Sequence, residues 1–125
     1  MQTIILAMQR RPVAQVLISK MHENPGIQVV YEPEYDSLAA DAADYGSDAV
    51  LIEVSETGIY DAGYCLALCL RLRMEAPACR LLLLCPEQDE ASVSAAVEAA
   101  RSGLIDDFLF YDASIDFITA KLLTG

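Results

Sequence analysis

Apolar residues along this chain follow two alternating rhythms. Nearly continuous apolar runs stand at residues 3–7, 27–31, 49–54, 80–85 and 107–111. Between them lie longer stretches whose apolar positions recur three and four apart. The runs predict strands covered on both faces, and the stretches predict helices that cover them. Punctuation agrees with the rhythm. Pro12 suits the first turn of a helix that runs to about residue 23, where Asn24-Pro25-Gly26 ends it. Its 3.6-residue stripe reads Val13, Val16, Leu17, Lys20 and Met21. Asp36 or Ser37 can cap a short helix that Gly46 stops. A loop through Glu56-Thr57-Gly58 leads to a long helix over about 60–75, ended by Pro77. A turn at 86–89 opens an alanine-rich helix that ends at Gly103, and the last helix covers 114–123.

Five such strand–helix pairs predict an α/β fold. It is a flavodoxin-like doubly wound parallel sheet of five strands in the order 2-1-3-4-5. Right-handed crossovers then put any site at the carboxyl ends of strands 1 and 3. Those ends are Met8-Gln9-Arg10 and Glu53-Val54-Ser55.

The composition narrows the function classes. The 125 residues, 54% of them hydrophobic, suit one domain over 1–125 with one core. No apolar run approaches the ~20 residues of a membrane span. No basic region with a cleavage site precedes the first strand, so a cytoplasmic, membrane-free protein is expected. A net charge of −11 repels phosphate backbones and argues against nucleic acid as a partner. The four cysteines have no metal spacing, and the single histidine, His22, is remote from them; buried reduced thiols are expected, with no metal and no cofactor. There is no Ser-His-Asp set, no P-loop and no GxGxxG, so no enzyme is expected.

The alternation of elements, the run Asp48 through Gly58, and Gly103 with Asp106-Asp107-Phe108-Leu109 together resemble the receiver domain of bacterial response regulators over the whole chain. The resemblance implies a phosphoacceptor aspartate where Glu53 stands, and a magnesium-holding acidic pair where Met8 and Gln9 stand. It implies a serine or threonine where Cys85 stands, and a lysine where Tyr111 stands. The family's catalytic set is therefore almost absent. Magnesium takes hard oxygen ligands in near-octahedral geometry; a thioether cannot serve and a neutral amide serves poorly. Phosphoryl transfer also needs cations on the equatorial oxygens, and the strand 5 lysine is missing.

Arg10 has two readings, an ion pair that holds Glu53 in a fixed charge state or a loop side chain in solvent. Arg11 is expected in solvent. Glu53 too can be a mimic of a charged state or a strand-end residue that reaches the surface. Asp106 and Asp107 precede strand 5, at the opposite end of the sheet, and suit turn and capping roles. Cys85 has an acidic neighbour in Glu87 and suits inert packing.

The long third helix lacks charge from 62 to 70. Ile59, Gly63, Leu66, Leu70 and Met74 form one stripe, and Tyr64, Leu68 and Leu72 a second on the other side. A surface helix buries one stripe, so the second predicts a contact with another subunit, a homodimer through Tyr64, Leu68 and Leu72. Phe117 points away from the core face of the last helix. The outer face of the fourth helix is small, with Ala91, Ala95 and Ala99. The expected function is an atypical receiver that works by binding a protein, or itself, without magnesium-dependent aspartyl phosphorylation. The alternatives are a phosphorylation-competent regulator with an unconventional acceptor, which beryllofluoride or acetyl phosphate would reveal, and a small-molecule-sensing domain, which a ligand-induced melting shift would reveal.

Overall fold

The computed structural model describes residues 1–123. Its elements run β1 (Gln2–Ala7), α1 (Arg11–Met21), β2 (Ile27–Tyr31), a 3-10 turn at Tyr35–Ser37, α2 (Leu38–Tyr45), β3 (Ala49–Glu53), α3 (Ala62–Glu75), β4 (Arg80–Cys85), α4 (Glu90–Ser102), β5 (Asp107–Phe110) and α5 (Ile115–Leu123). The strands form one parallel sheet in the order β2-β1-β3-β4-β5, as the alternation predicted. Each strand enters where a helix returns, because parallel neighbours need a crossover.

Side-chain alternation along the central strands builds two cores. Ile5, Val50, Ile52, Leu81 and Leu83 face a layer of α2, α3 and α4. Ile4, Leu6, Leu51, Leu82 and Leu84 face α1 and α5. A fully buried aliphatic side chain contributes about 1.5–3 kcal/mol, so the two faces together drive folding. Gly46 ends α2 with φ of 60° and Gly103 ends α4 with φ of 84°, a conformation that costs other residues a Cβ clash. Asp61 caps α3, its Oδ1 accepting from the Tyr64 N–H at 3.0 Å.

Three helices are rotated from the expected stripes. On α1 the buried positions are Ala14, Leu17 and Met21, while Val16 is exposed. On α4, Ala99 is core rather than outer face; Ala91 is exposed and Ala95 half-buried. On α3 the core stripe is Cys65, Leu68, Cys69 and Leu72. Leu68 and Leu72 therefore do not form a subunit interface. Tyr64 is half-buried, its ring 5.1 Å from that of Tyr60 and its hydroxyl donating to the Asp36 carboxylate. The reason is the pair of cysteines. Counted as small apolar side chains, Cys65 and Cys69 complete an i, i+3, i+4, i+7 set with the two leucines. The exposed stripe is the other one, with Leu70 and Met74. Phe117 is half-exposed, as expected, with Lys121 Nζ 5.7 Å from its ring centre.

All four cysteines are free and buried. Burial pushes the Cys69 and Cys85 thiols up to about 12 and raises those of Cys65 and Cys79, so none offers a reactive thiolate. Asp106 ties the amino end of the sheet together: its Oδ2 accepts from the Leu81 N–H and from Arg73, each at 2.8 Å. Burial alone would raise its carboxyl, but these donors outweigh it and hold the pKa below the ordinary value. Asp107 pairs with Lys121 at 3.0 Å.

Past the carboxyl end of β2, Asp41 of α2 shares a hydrogen bond with the Glu32 carboxyl. That hydrogen bond, then burial, then repulsion from Glu32 raise Asp41 to about 6 from 3.8. A carboxyl whose folded pKa is raised adds stability in full below the unfolded value and loses it as pH climbs through the folded one. Stability should therefore fall between about pH 4 and pH 6 on account of this pair. Asp41→Asn should remove that dependence and raise stability at neutral pH by about 1 kcal/mol, a figure reduced for solvent screening of a partly exposed pair. Chemical denaturation of both proteins across that range checks it. An unchanged difference across the range would sink it.

Candidate functional site

The carboxyl ends of β1, β3 and β5 meet at the top of the sheet. β3 delivers Glu53 there with its side chain 1% exposed. The carboxylate is fully occupied by donors. Oε1 accepts from the backbone N–H of Gln9 at 2.8 Å and of Arg10 at 3.0 Å. Oε2 forms a close ion pair with Arg10 Nε. The residues just before α1 thus offer a nest of N–H groups and a guanidinium, and Glu53 fills it from within the chain. The ion-pair reading of Arg10 is the one the structure adopts. Arg11 is exposed, its guanidinium 5.1 Å from the Tyr31 ring centre.

Arg10 is held from a second side. Its guanidinium carbon lies 3.8 Å from the centre of the Tyr111 ring, a stacked cation–π contact. The Tyr111 hydroxyl donates to the Val54 carbonyl. Burial and then the negative charge of Glu53 raise the Tyr111 pKa, so the hydroxyl stays a donor at neutral pH. Tyr111 thereby ties the end of β5 to the end of β3.

The other predicted positions behave differently. The Met8 side chain is fully buried among the α1 and α5 residues, and its carbonyl accepts from the Tyr31 hydroxyl at 3.1 Å. Gln9 turns its side-chain amide to the Pro33 carbonyl at 2.7 Å. Cys85 packs into the opposite core layer, and its carbonyl accepts from the Tyr111 N–H at 2.9 Å. Gln9, Arg10, Glu53, Ser55, Thr57 and Tyr111 wall an open pocket of about 330 Å³. Met8 and Cys85 sit beneath the site rather than in it.

Sequence reasoning missed the aromatic support under Glu53. The Tyr35 hydroxyl donates to the Glu53 carbonyl at 2.6 Å from a fully buried ring. Tyr60 stacks on that ring with centroids 4.0 Å apart and planes 9° apart. Tyr35 lies in the acidic stretch 32–36, which reads as solvated loop; the one signal was an aromatic flanked by charges on both sides.

The geometry does not suit a magnesium ion. Both Glu53 oxygens face N–H donors, the residue at position 8 is a buried thioether, and the amide at position 9 is turned away. A cation would also have to displace the Arg10 guanidinium. Among the described residues, no three His, Cys, Asp or Glu side chains are grouped to hold a metal. No helix among them is long and apolar enough to cross a membrane.

No protein-family model matches the chain, and no curated protein matches it by sequence. Solved structures do match in fold. A LuxR-family DNA-binding response regulator from Staphylococcus aureus superposes with a TM-score of 0.75 at 11% identity, over 96% of this chain and 94% of that one. A CheY-like protein, TadZ, from Pseudomonas aeruginosa gives 0.70 at 19% identity over 97% and 96%. A Burkholderia pseudomallei response regulator with a phosphorylated aspartic acid and a calcium ion gives 0.72 at 20% identity over 99% and 68%. The fold is that of CheY-like receivers.

Proposed function

We propose that this chain is a receiver-type signalling domain that acts through protein contacts and takes no phosphoryl group at its strand-end pocket. The observation that carries the reading is the Arg10–Glu53 pair. In a phosphorylatable site an aspartate carboxylate must face solvent, a metal ion and a lysine. Here a longer carboxylate is already buried, already neutralised and already hydrogen-bonded. The guanidinium takes the place of the cations, and Tyr111 covers it where a lysine would reach an incoming phosphate. The pocket then serves as a fixed joint between the β1–α1 loop, β3 and the end of β5. No nucleophile, acid and base converge there, so the domain transmits by binding rather than by turnover.

Mass spectrometry after treatment with acetyl phosphate and magnesium tests this. Wild type and Glu53→Asp should both stay unmodified, since the aspartate would return without its acidic pair and lysine. A stoichiometric adduct of about 80 Da (one phosphoryl group) at position 53 of either protein would refute it. Calorimetric titration with magnesium should give no saturable heat.

A further inference from the structure

The outer face of α3 carries an exposed, partly apolar ridge. Gly63, Ala67, Leu70, Arg71 and Met74 are all exposed and lie three and four apart, so they share one ridge. Leu70 is 59% and Met74 82% exposed, and Ile59, just before the helix, is 70% exposed. Arg71 is the single cation on this ridge. Arg10, Lys20, Arg73, Arg101 and Lys121 have carboxylate partners, Arg80 donates to the Lys121 carbonyl and Arg11 lies over the Tyr31 ring, whereas Arg71 has no such partner among the described residues. In a chain with a net charge of −11, a cation left unpaired beside exposed aliphatic side chains marks a place where an external carboxylate is wanted.

The order along the helix says which carboxylate. The small residues, Gly63 and Ala67, occupy the amino-terminal half of the ridge, and the large ones, Leu70 and Met74, the carboxyl-terminal half. Asp61, exposed, stands at the amino end. Two such helices packed antiparallel about a two-fold axis near Leu66 and Ala67 put Leu70 over Gly63 and Met74 beside Ile59. The same axis brings Arg71 to the amino end of the partner helix, the end that the Asp61 carboxylate caps, twice. Size and charge are both self-complementary under that one operation, which is the condition for an isologous contact.

We propose that this ridge is the interface for a second copy of the chain, with the two α3 helices antiparallel and crossing at Ala67. The inference rests on the reading above that the domain acts through protein contacts, and it names the partner. A contact centred on one helix is at the small end of specific interfaces, so the dimer is a concentration-dependent one.

Cross-linking tests it. Helices that pack about 8–10 Å apart bring facing Cα atoms within disulfide reach at the axis. All four native cysteines are buried, so an introduced thiol is the exposed one. Ala67→Cys should form a disulfide-linked dimer under mild oxidation, and Phe117→Cys, on the opposite helical layer, should not. In sedimentation, wild type should dimerise at high micromolar concentration, and Leu70→Glu should weaken association at least about tenfold, roughly 1.4 kcal/mol, with an unchanged circular dichroism spectrum. A wild type that stays monomeric, a Leu70→Glu variant that still dimerises, or cross-linking through Phe117→Cys in place of Ala67→Cys would each overturn the proposal. None of these outcomes bears on phosphoryl transfer, so the two readings fail separately.

Discussion

Leu68→Glu should unfold the domain. Leu68 is 4% exposed on α3, and its neighbours Cys65, Cys69 and Leu72 are fully buried. Truncating a buried leucine costs about 2–5 kcal/mol through lost transfer energy and the cavity left behind. A glutamate adds a charge to an apolar layer, and Arg71, which lines a surface cleft beside Leu68, offsets only part of a desolvation cost of several kcal/mol unless the helix peels away. Single domains have roughly 5–15 kcal/mol in total. Far-ultraviolet circular dichroism should therefore show loss of the cooperative thermal transition. Leu70→Glu, two residues along and on the outer ridge, should melt within about 0.5 kcal/mol of wild type. If Leu68→Glu folds as well as Leu70→Glu does, the rotation of α3 described above is wrong.

Arg10→Met should be the most damaging change at the strand-end site. It leaves the Glu53 carboxylate buried at 1% exposure with two backbone N–H donors and no cation. Removing one partner of a buried pair costs about 3–5 kcal/mol, and Arg10 is itself 37% exposed, which favours the lower end. The Arg10→Met, Glu53→Gln double variant should recover most of the loss. Its glutamine keeps an oxygen acceptor for the Gln9 and Arg10 N–H groups and carries no charge to strand. Denaturant titration of the two single variants and the double variant gives the coupling energy, expected at about 2 kcal/mol. A coupling near zero would mean the ion pair holds nothing in place, and the fixed-joint reading of the pocket would fall with it.

The strand-end site shows how far local information reaches. Position was legible: the doubly wound order follows from five parallel strands and right-handed crossovers, and it brings residues 8–10 and 53–55 together without any knowledge of side chains. Chemistry was legible in part, since a thioether, an amide and a tyrosine cannot do the work of carboxylates and a lysine. The direction of Arg10 was not. A guanidinium on a loop can reach solvent or a neighbour, and the choice depends on whether a buried carboxylate and an aromatic face stand within a few ångströms. Glu53 is 43 residues away in the chain and Tyr111 a further 58 beyond it.

The helices show a second limit. On α3 the apolar residues surround the helix, so periodicity allows either stripe to be the core. The sheet beneath decides, and it takes the side with Cys65, Leu68, Cys69 and Leu72, which pack in one core with the inward residues of β3 and β4. Tyr35 shows a third: its ring is buried because Tyr60 and the end of β3 close over it, and nothing in the acidic stretch around it signals that.

By itself, then, the amino-acid order determined the elements, their parallel pairing and the end of the sheet that carries the site, because apolar runs and chain reversals are local properties. Tertiary packing alone decided which helix faces are buried, that Arg10 closes on Glu53 beneath Tyr111, and that the Leu70–Met74 ridge is exposed. Those choices turn on contacts between residues far apart in the chain, whose free energies exist only once the layers have met.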